Sequence, residues 1–480
     1  MATQEYRRII SYIGLLIFGI GAITFIPLLV LLLRPLTWQD ALPFVITGTG
    51  GVSAGWSLWY LFRGQDDHFL STREAAVIMS SGWIVAMVMG GLPFIIGKRL
   101  PWLDGFYESI SGWTGAGLSM FSQVELLPPV YLLWRSLMGY LGSAGFAVLM
   151  LSAVIGPQAI GLYRAEGRSD HLVPSILDTA RLFMKMYALY LFIGTVLYWF
   201  VGLSLFDAVN HAMTALSTTG FSTRTLNIGH FDKVSIELVS VFLMLLGSSN
   251  FTIHYLLVTK RGWRALRDSE LYALVVVLSL AIPLVYLGIR PLYGGLPKTM
   301  RIAVFQAVSA STTTGFATVD LSGWGDLPLF GLTLLMIAGG GTGGTAGGIK
   351  LSRLATLWQA VIWTVRQRLH SERVVLRQAI YRQGELEPMH GDKLWDVAVV
   401  VFLYVMTFLV GTLIFMLHGV PLAEASFEFA TALSTVGLSV GITGPDMPTT
   451  LKITQMVGMW LGRLEFVAVF VALGRLGRWR

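Results

Sequence analysis

The sequence contains no cysteine and few charged residues. Without cysteine, disulfides, thiolate metal sites and a cysteine nucleophile are all excluded. Charged residues make up 13% of the 480 residues, whereas soluble domains carry about 25%. Hydrophobic residues make up 54%, and the mean hydropathy is +0.68. This composition indicates a membrane protein. HExxH, Walker lysine and nucleophile-elbow patterns are also missing, so the sequence offers no catalytic constellation.

The net charge of +7 alone does not separate a nucleic-acid-binding protein from a membrane protein. Most arginines and lysines lie in the segments that the predicted topology places on the same side of the membrane as the N-terminus. Basic residues stay on the cytoplasmic side of a membrane, so we expect both termini in the cytoplasm and no nucleic-acid partner. The first apolar run is longer than the roughly 7–15 residues of a cleavable signal core, which predicts a retained span.

A helix needs about 20 apolar residues to cross the hydrocarbon layer. Ten stretches meet this length and predict transmembrane helices, near 9–33, 41–62, 75–97, 131–155, 182–202, 235–258, 270–289, 328–349, 394–417 and 451–473. Four shorter apolar stretches end in polar, glycine-containing segments, near 104–117, 206–220, 302–315 and 424–437. The expected fold class is therefore an all-α membrane protein with ten spans and four re-entrant half-helices.

The short stretches resemble one another, which indicates an internal four-fold repeat. Aligned without gaps, each ends in a four-residue segment that closes with glycine. The four segments are Thr114, Gly115, Ala116, Gly117; Ser217, Thr218, Thr219, Gly220; Thr312, Thr313, Thr314, Gly315; and Ser434, Thr435, Val436, Gly437. The predicted units are two extra N-terminal helices (1–66), repeat 1 (67–165), repeat 2 (166–264), repeat 3 (265–364), a cytoplasmic linker (365–393) and repeat 4 (394–480).

Four similar units in one chain predict a pseudo-four-fold assembly in which these segments meet at the axis. Rings of backbone carbonyls can replace the water around a cation, and glycine permits the backbone conformations that such rings need. Irregular backbone inside a membrane is tolerated where it lines a water-filled cavity. The alternative is close helix packing, which also favours small residues. Four copies in register favour a filter for a monovalent cation, K⁺ above all.

A polar side chain lies nine residues before each closing glycine. These side chains are Glu108, His211, Gln306 and Glu428. Nine residues of helix correspond to two and a half turns, which is too far for coordination of an ion in the filter. We expect them to anchor the half-helices. An outer site that attracts cations is the alternative.

The predicted span after the third segment is interrupted by glycine. Residues 339–350 are Gly339, Gly340, Gly341, Thr342, Gly343, Gly344, Thr345, Ala346, Gly347, Gly348, Ile349 and Lys350. Glycine costs roughly 1 kcal/mol per helical position relative to alanine, so this stretch predicts a loop within the membrane that can close the ion path. A tight packing patch is the alternative. A GxGxxG pattern here lacks the preceding strand that a dinucleotide site requires.

Arg463 lies inside the last predicted span, where a charge costs at least about 2.5–3.5 kcal/mol. We expect it below the filter as an electrostatic barrier to cations, with a structural bridge to carbonyl groups as the alternative. Glu465 is two positions away on a helix and is not expected to be its partner. Lys350 is expected at the gate loop, where it also marks the end of the span.

Three further interpretations stay open from the residues alone. The basic stretch 366–393 is either a solvated connector or a docking surface for a soluble subunit. A coupled secondary transporter usually has two related halves, so four short repeats argue against it. A membrane-embedded enzyme needs clustered intramembrane titratable groups, which the sequence does not show.

These features together resemble the Trk/Ktr/HKT superfamily of potassium transporters, and its TrkH type in particular. The resemblance rests on the four segments, the GGGTGGTAGGIK loop, the GRLE run at 462–465 and LYRAEG at 162–167, and it covers nearly the whole chain. The first segment has Gly115 where the TrkH type usually has threonine, and the loop has Gly344 where serine is usual.

The resemblance implies channel-like K⁺ uptake across a bacterial cytoplasmic (inner) membrane. The filter is expected at the segment residues, which bind K⁺ as the transported metal ion. It also implies a gate formed by residues 339–350 with Arg463. Family members commonly form homodimers and dock a cytosolic TrkA-type nucleotide-binding regulatory subunit. No other cofactor and no enzymatic activity are implied. Coupling to H⁺ or Na⁺, as in a symport, is the alternative within the superfamily.

Overall fold

The computed structural model describes residues 2–32, 37–63, 70–145, 176–258, 267–370, 379–382, 385–389 and 391–476, and these are mostly helical. The helices, numbered in chain order, are α1 (Ala2–Ile23), α2 (Trp38–Phe62), α3 (Thr72–Ile96), α4 (Trp102–Thr114), α5 (Pro129–Ser143), α6 (Ile176–Phe200), α7 (Leu205–Leu216), α8 (Val234–Ser248), α9 (Phe251–Val258), α10 (Ser269–Tyr293), α11 (Leu296–Ser311), α12 (Asp326–Ala338), α13 (Leu351–Leu369), α14 (Gly391–Leu417), α15 (Leu422–Leu433), α16 (Thr449–Arg463) and α17 (Val467–Leu476). Within the described ranges, short 3-10 helices lie at Ile26–Leu32, Val124–Leu126 and Asn227–His230. Strands β1 (Ala379–Arg382) and β2 (Glu385–Pro388) pair antiparallel.

Glycine sets the packing of the two N-terminal helices. A Cβ atom placed on Gly55 of α2 would lie 2.6 Å from the carbonyl oxygen of Gly14 and 2.7 Å from the Cα atom of Phe18, both in α1. A Cβ atom on Gly21 would lie 2.6 Å from the backbone nitrogen of Val52. Small residues let helices approach closely where lipid gives no hydrophobic drive for association. The two helices therefore touch backbone to backbone.

The four short helices α4, α7, α11 and α15 contain 13, 12, 16 and 12 residues. At 1.5 Å per residue they are about 18–24 Å long, which is less than the roughly 30 Å of hydrocarbon. Pro101 and Pro421 immediately precede α4 and α15, and the Ser204 side chain accepts a hydrogen bond from the backbone of Asp207 at the start of α7. Local sequence thus fixes where these helices begin.

Each short helix packs between the long helices that precede and follow it. The resulting units are α3–α4–α5, α6–α7–α8, α10–α11–α12 and α14–α15–α16. The units also contact one another in order, because α5 packs on α7, α8 on α11, α12 on α15, and α16 on α4. The fourth unit thus closes back on the first. This closed ring of four units is the arrangement that the internal repeat predicts.

Five helical segments in the described part of the chain are long and apolar enough to cross a membrane. They are Gln4–Leu31, Glu74–Ile96, Arg181–Phe200, Ser269–Tyr293 and Gly391–Leu417. Two bent pairs, Val234–Ser248 with Phe251–Leu257 and Thr449–Arg463 with Val467–Gly474, raise the number to seven if each pair is one span. The protein therefore has several membrane-spanning helices, whereas the predicted total of ten stays a prediction.

Four predicted spans differ from the observed helices. The spans at 235–258 and 451–473 are each broken by a bend of 102°. The span at 328–349 ends as a helix at Ala338, because the glycine-rich stretch that follows does not sustain one. The span at 131–155 is helical to Ser143, and its residues 146–155 lie outside the described residues. The LYRAEG run at 162–167 also lies outside them.

The predicted linker contains regular structure in its described residues. Helix α13 continues to Leu369, beyond the predicted start of the linker at 365. Strands β1 and β2 then form a small hairpin, so the described fold is not strictly all-α. The two strands are only four residues long, and their sequences, AIYR and ELEP, are too short for a periodicity to be recognised.

Candidate functional site: a ring of glycine-bearing segments

Each short helix ends in the same hydrogen-bonded cap. The third residue of each segment donates its backbone N–H to the carbonyl five residues earlier, and the second residue donates to the carbonyl three residues earlier. The third-residue donors are Ala116, Thr219, Thr314 and Val436, at 2.8–2.9 Å from the carbonyl oxygens of Ser111, Thr214, Ser309 and Thr431. This pair of bonds is the Schellman motif, which requires a left-handed residue at the second position.

The second position is left-handed in all four copies. Thr218, Thr313 and Thr435 have φ of 49°, 51° and 52°, and Gly115 has φ of 81°. A β-branched residue in this conformation is strained, at a cost of roughly 1–3 kcal/mol. Glycine adopts the same conformation without a Cβ clash. The departure at Gly115 therefore preserves the backbone of the first segment.

The four closing glycines place the segments around a common centre. Gly117, Gly220, Gly315 and Gly437 are all left-handed, with φ between 70° and 105°. A Cβ atom on each would meet the carbonyl oxygen that the third residue of the next segment presents. The meeting oxygens, in the same order, are those of Thr219, Thr314, Val436 and Ala116. The contacts run from copy one to two, three, four and back to one, so the structure brings all four segments together in a ring.

Backbone rather than side-chain oxygens are common to the four copies. The Ser217 hydroxyl lies 2.8 Å from that of Thr219, and the Thr312 hydroxyl lies 2.9 Å from that of Thr314. The first and fourth copies have Ala116 and Val436 at the third position, and neither carries a hydroxyl. The carbonyl oxygen of the third residue is therefore the feature that all four copies present at the ring.

The polar side chains nine residues upstream hold the chain that leaves each segment. Glu108 accepts hydrogen bonds from Ser119 and from the backbone of Met120, and Glu428 from Ser439 and the backbone of Val440. The ring of His211 lies 2.9 Å from the hydroxyl of Ser222, and the amide of Gln306 lies 3.5 Å from that of Thr318. These contacts favour the anchoring interpretation. In every copy the hydrogen-bond partner follows the closing glycine by two or three residues.

Arg135 completes the first anchor and was not identified from the sequence. Its Nε lies 2.7 Å from Glu108 Oε1, and both side chains are at most 2% exposed. The same guanidinium donates to the Ser119 hydroxyl and to the carbonyl oxygen of Ser222 in the second repeat. An ion pair in the interior depends on such additional hydrogen bonds. In the sequence Arg135 is an arginine at the edge of a predicted span, with no signal that it pairs with Glu108.

The glycine-rich stretch 339–350 forms a loop, as its composition predicts. Helix α12 ends at Ala338 and α13 begins at Leu351. The C-terminal end of the loop pairs with the end of α12, because Ile349 donates its backbone N–H to Ile337 and Lys350 donates to Ala338, at 2.9 and 3.0 Å. The loop is therefore closed at its base.

The loop lies against the second residues of the segments. The backbone N–H of Gly347 donates to the Thr313 hydroxyl at 2.8 Å, and the Thr218 hydroxyl donates to that of Thr345 at 3.2 Å. A Cβ atom on Gly347 would also meet the hydroxyl of Thr435. Three strained threonines thus contact the loop, and Gly115 has no side chain to do so. We name this surface, formed by Thr218, Thr313 and Thr435, the threonine seat.

Thr345 ties the loop to the helix ends of the second repeat. Its hydroxyl donates to the carbonyl oxygens of Leu216 and Gly247 at 2.9 and 3.0 Å, and its backbone N–H donates to Gly247. Leu216 and Gly247 lie at the C-terminal ends of α7 and α8, where helical carbonyls lack intrahelical partners. The loop supplies these partners.

Arg463 bridges carbonyl groups. It donates to the carbonyl oxygen of Thr345 in the loop at 3.2 Å and to that of Gly142 in α5 at 2.9 Å. The structure therefore shows the bridge that the sequence left as the alternative to a barrier. Lys350 pairs with Glu465 at 2.6 Å, and Arg353 pairs with the same carboxylate. Glu465 was not expected to pair with Arg463, and it instead fixes the C-terminal end of the loop through Lys350 and Arg353.

Comparisons with known proteins agree with this architecture. A family model described as a cation transport protein, TrkH, matches residues 43–284 and 295–475. The Trk system potassium uptake protein TrkH of Halomonas elongata is 30% identical over 98% of this chain and 98% of its own length. An uncharacterized cation transporter of Methanocaldococcus jannaschii is 28% identical over 99% of this chain and 97% of its own. The crystal structure of the potassium transporter TrkH from Vibrio parahaemolyticus has a TM-score of 0.85 and 26% identity, over 99% of this chain and all of that one.

These relatives are transport proteins rather than enzymes. The family model covers well over half of the chain, including all four segments and the loop. The chain therefore belongs to the TrkH family of cation transport proteins.

Proposed function

We propose that this protein takes up K⁺ across the cytoplasmic membrane through a channel-like filter. The filter consists of residues 114–117, 217–220, 312–315 and 434–437. The observation that carries the proposal is the ring in which each closing glycine faces a carbonyl oxygen of the next copy. Rings of carbonyl oxygens can replace the hydration shell of a monovalent cation.

The ends of the short helices favour a cation at this ring. All four helices end at the segments, and a helix C-terminus carries about half a negative charge. Glycine at the fourth position keeps each neighbouring carbonyl free of side chains. The relatives are named as potassium uptake proteins, which supports K⁺ as the transported ion.

Residues 339–350 are proposed as the gate. The loop lies on the threonine seat and is fixed by Arg463 through the carbonyl of Thr345. Two of the cations near it, Lys350 and Arg353, are paired with Glu465. In this arrangement Arg463 closes the path by holding the loop in place. Opening requires the bonds of Thr345 and Arg463 to break together.

The remaining expectations form part of the same proposal. Both termini face the cytoplasm, as the distribution of basic residues indicates. The chain forms a homodimer and docks a cytosolic TrkA-type nucleotide-binding subunit. The relatives are named as parts of a Trk system, which agrees with a multi-component assembly. The basic stretch 366–393, which includes the hairpin, is the proposed docking region.

Flux measurements on purified protein in liposomes test the function. We expect uptake of radioactive Rb⁺ into K⁺-loaded vesicles, with competition by external K⁺ and weak competition by Na⁺. Uptake that persists without a proton gradient and without Na⁺ indicates the channel-like mechanism. Uptake that requires either ion supports coupled transport within the same family. No uptake above that of empty liposomes would show that the proposed function is wrong.

A further inference from the structure

A buried carboxylate outside the ring holds the first half of the gate loop. Glu270, at the start of α10, is 5% exposed. Its two carboxylate oxygens accept the backbone N–H of Thr342 at 3.1 and 3.2 Å. Hydrogen bonds to a charged acceptor are about twice as strong as neutral ones. Glu270 thus makes a charged contact with the loop that is separate from the threonine seat and from Arg463.

Few other bonds hold this part of the loop in place. Gly341 donates its N–H to the carbonyl oxygen of Ser248 at 2.9 Å, and the Thr342 hydroxyl bonds to that of Ser352. Thr342 is half-buried, whereas Thr345 on the far side of the loop is fully buried. A substitution of Glu270 therefore weakens a contact in the more exposed first half of the loop, at Thr342.

The hairpin in the linker packs against the helix that carries this carboxylate. Strand β1 packs against α10 and brings Arg382 within electrostatic range of Glu270. Asp268, which is 1% exposed, accepts the backbone N–H of Glu270 at 2.8 Å and adds a second buried negative charge there. A guanidinium beside a carboxylate stabilises its negative charge. Arg382 thus favours the charged acceptor that Thr342 uses.

We propose that Glu270 is a positioning residue for the gate loop, and that the hairpin of β1 and β2 controls it through Arg382. With the hairpin on α10, Arg382 favours the charged form of Glu270, and the Glu270 carboxylate holds the backbone of Thr342. A partner that moves the hairpin removes Arg382, weakens this contact and releases the first half of the loop. The inference rests on the proposed function, because it takes residues 339–350 to be the gate.

The absence of cysteine makes the movement of the loop measurable. Thr342→Cys introduces a single thiol into a chain that has none. In this background Glu270→Gln should raise both the labelling rate at position 342 and the Rb⁺ flux about fivefold, because a neutral acceptor bonds the amide more weakly. The preference for K⁺ over Na⁺ should not change, since Glu270 does not contact the ring segments.

Arg382→Gln tests the hairpin. It should raise both rates in the same direction by a smaller factor, and it should add nothing when combined with Glu270→Gln. Asp396→Asn removes one charge from an exposed position on α14, and it should leave both rates unchanged. Arg382 lies on a short surface hairpin, so its variant keeps the test available if Glu270→Gln does not fold.

The outcomes are separable. If the Thr342→Cys protein conducts Rb⁺ but Glu270→Gln labels and conducts at the same rate, Glu270 does not position the loop. Equal labelling of Arg382→Gln and its parent, or an additive effect in the double variant, would show that the hairpin does not act through Glu270. If the wild-type protein itself conducts no Rb⁺ above empty liposomes, the proposed function fails, whatever the labelling shows.

Discussion

Replacing Gly315 with alanine places a methyl group where the ring has no room for one. Gly315 has φ of +79°, and a Cβ atom there would overlap the carbonyl oxygen of Val436 and lie 2.9 Å from the Cα atom of Gly437. Both neighbours are backbone, so the fourth segment must move outward. The carbonyl of Val436 is then no longer in line with the other three.

The size of the effect follows from two separate costs. Alanine in a left-handed conformation costs roughly 1–2 kcal/mol of stability relative to glycine. Loss of one oxygen from the coordination of a charged ligand costs about 2 kcal/mol, if it is comparable with a hydrogen bond to a charged group. Added to the barrier for conduction, about 2 kcal/mol lowers the flux roughly thirtyfold.

Gly323→Ala is the matched control, because Gly323 has φ of +78° and no atom within 4 Å of its added Cβ. Both variants carry the same backbone strain in the third repeat, and only Gly315→Ala disturbs the ring. Rb⁺ flux into liposomes, corrected for the amount of folded protein, should fall for Gly315→Ala and stay near wild type for Gly323→Ala. Equal fluxes for the two variants would refute the reasoning that the ring lines the ion path.

Three further substitutions test other parts of the site. Glu108→Ala leaves the buried Arg135 without its carboxylate partner, which should lower the free energy of unfolding by about 3–5 kcal/mol. The melting temperature in detergent should fall accordingly, while the preference of the remaining folded protein for K⁺ stays constant. Gly115→Thr brings a side chain 2.9 Å from the Ser143 hydroxyl and adds strain, so it should lower the melting temperature, and Ser143→Ala in the same chain should restore part of the loss. Arg463→Gln removes the charge from its bonds to the loop and to α5, and should raise Rb⁺ flux in the absence of any partner; lower flux would instead support a role within the open path.

The repeated unit can be recognised in the sequence because its signals are local. Each short helix is bounded by a turn or cap at one end and a glycine segment at the other, and the same spacing occurs four times. The non-helical stretch 339–350 follows from glycine content alone, since seven of the ten residues from Gly339 to Gly348 disfavour a helix. The order of contacts around the ring follows from the order of the repeats in the chain.

The contacts between distant residues were not predictable from one sequence. The pairs Arg135 with Glu108, Glu270 with Thr342, and Glu465 with Lys350 join parts of the chain that are far apart in sequence, and no spacing along the chain marks them. The break at 464–466 was missed because residues 451–473 are together long and apolar enough to predict one span. In the structure Glu465 and Phe466 are left-handed, with φ of 53° and 62°. Only the packing of the whole chain reveals such positions.

The most direct test of the central claim is a crystal structure of the protein with Rb⁺ in place of K⁺, measured at the rubidium absorption edge. The account predicts anomalous density on the axis of the ring, within coordination distance of the carbonyl oxygens of Ala116, Thr219, Thr314 and Val436. Well-occupied Rb⁺ sites elsewhere in the protein, with no density on this axis, would contradict it.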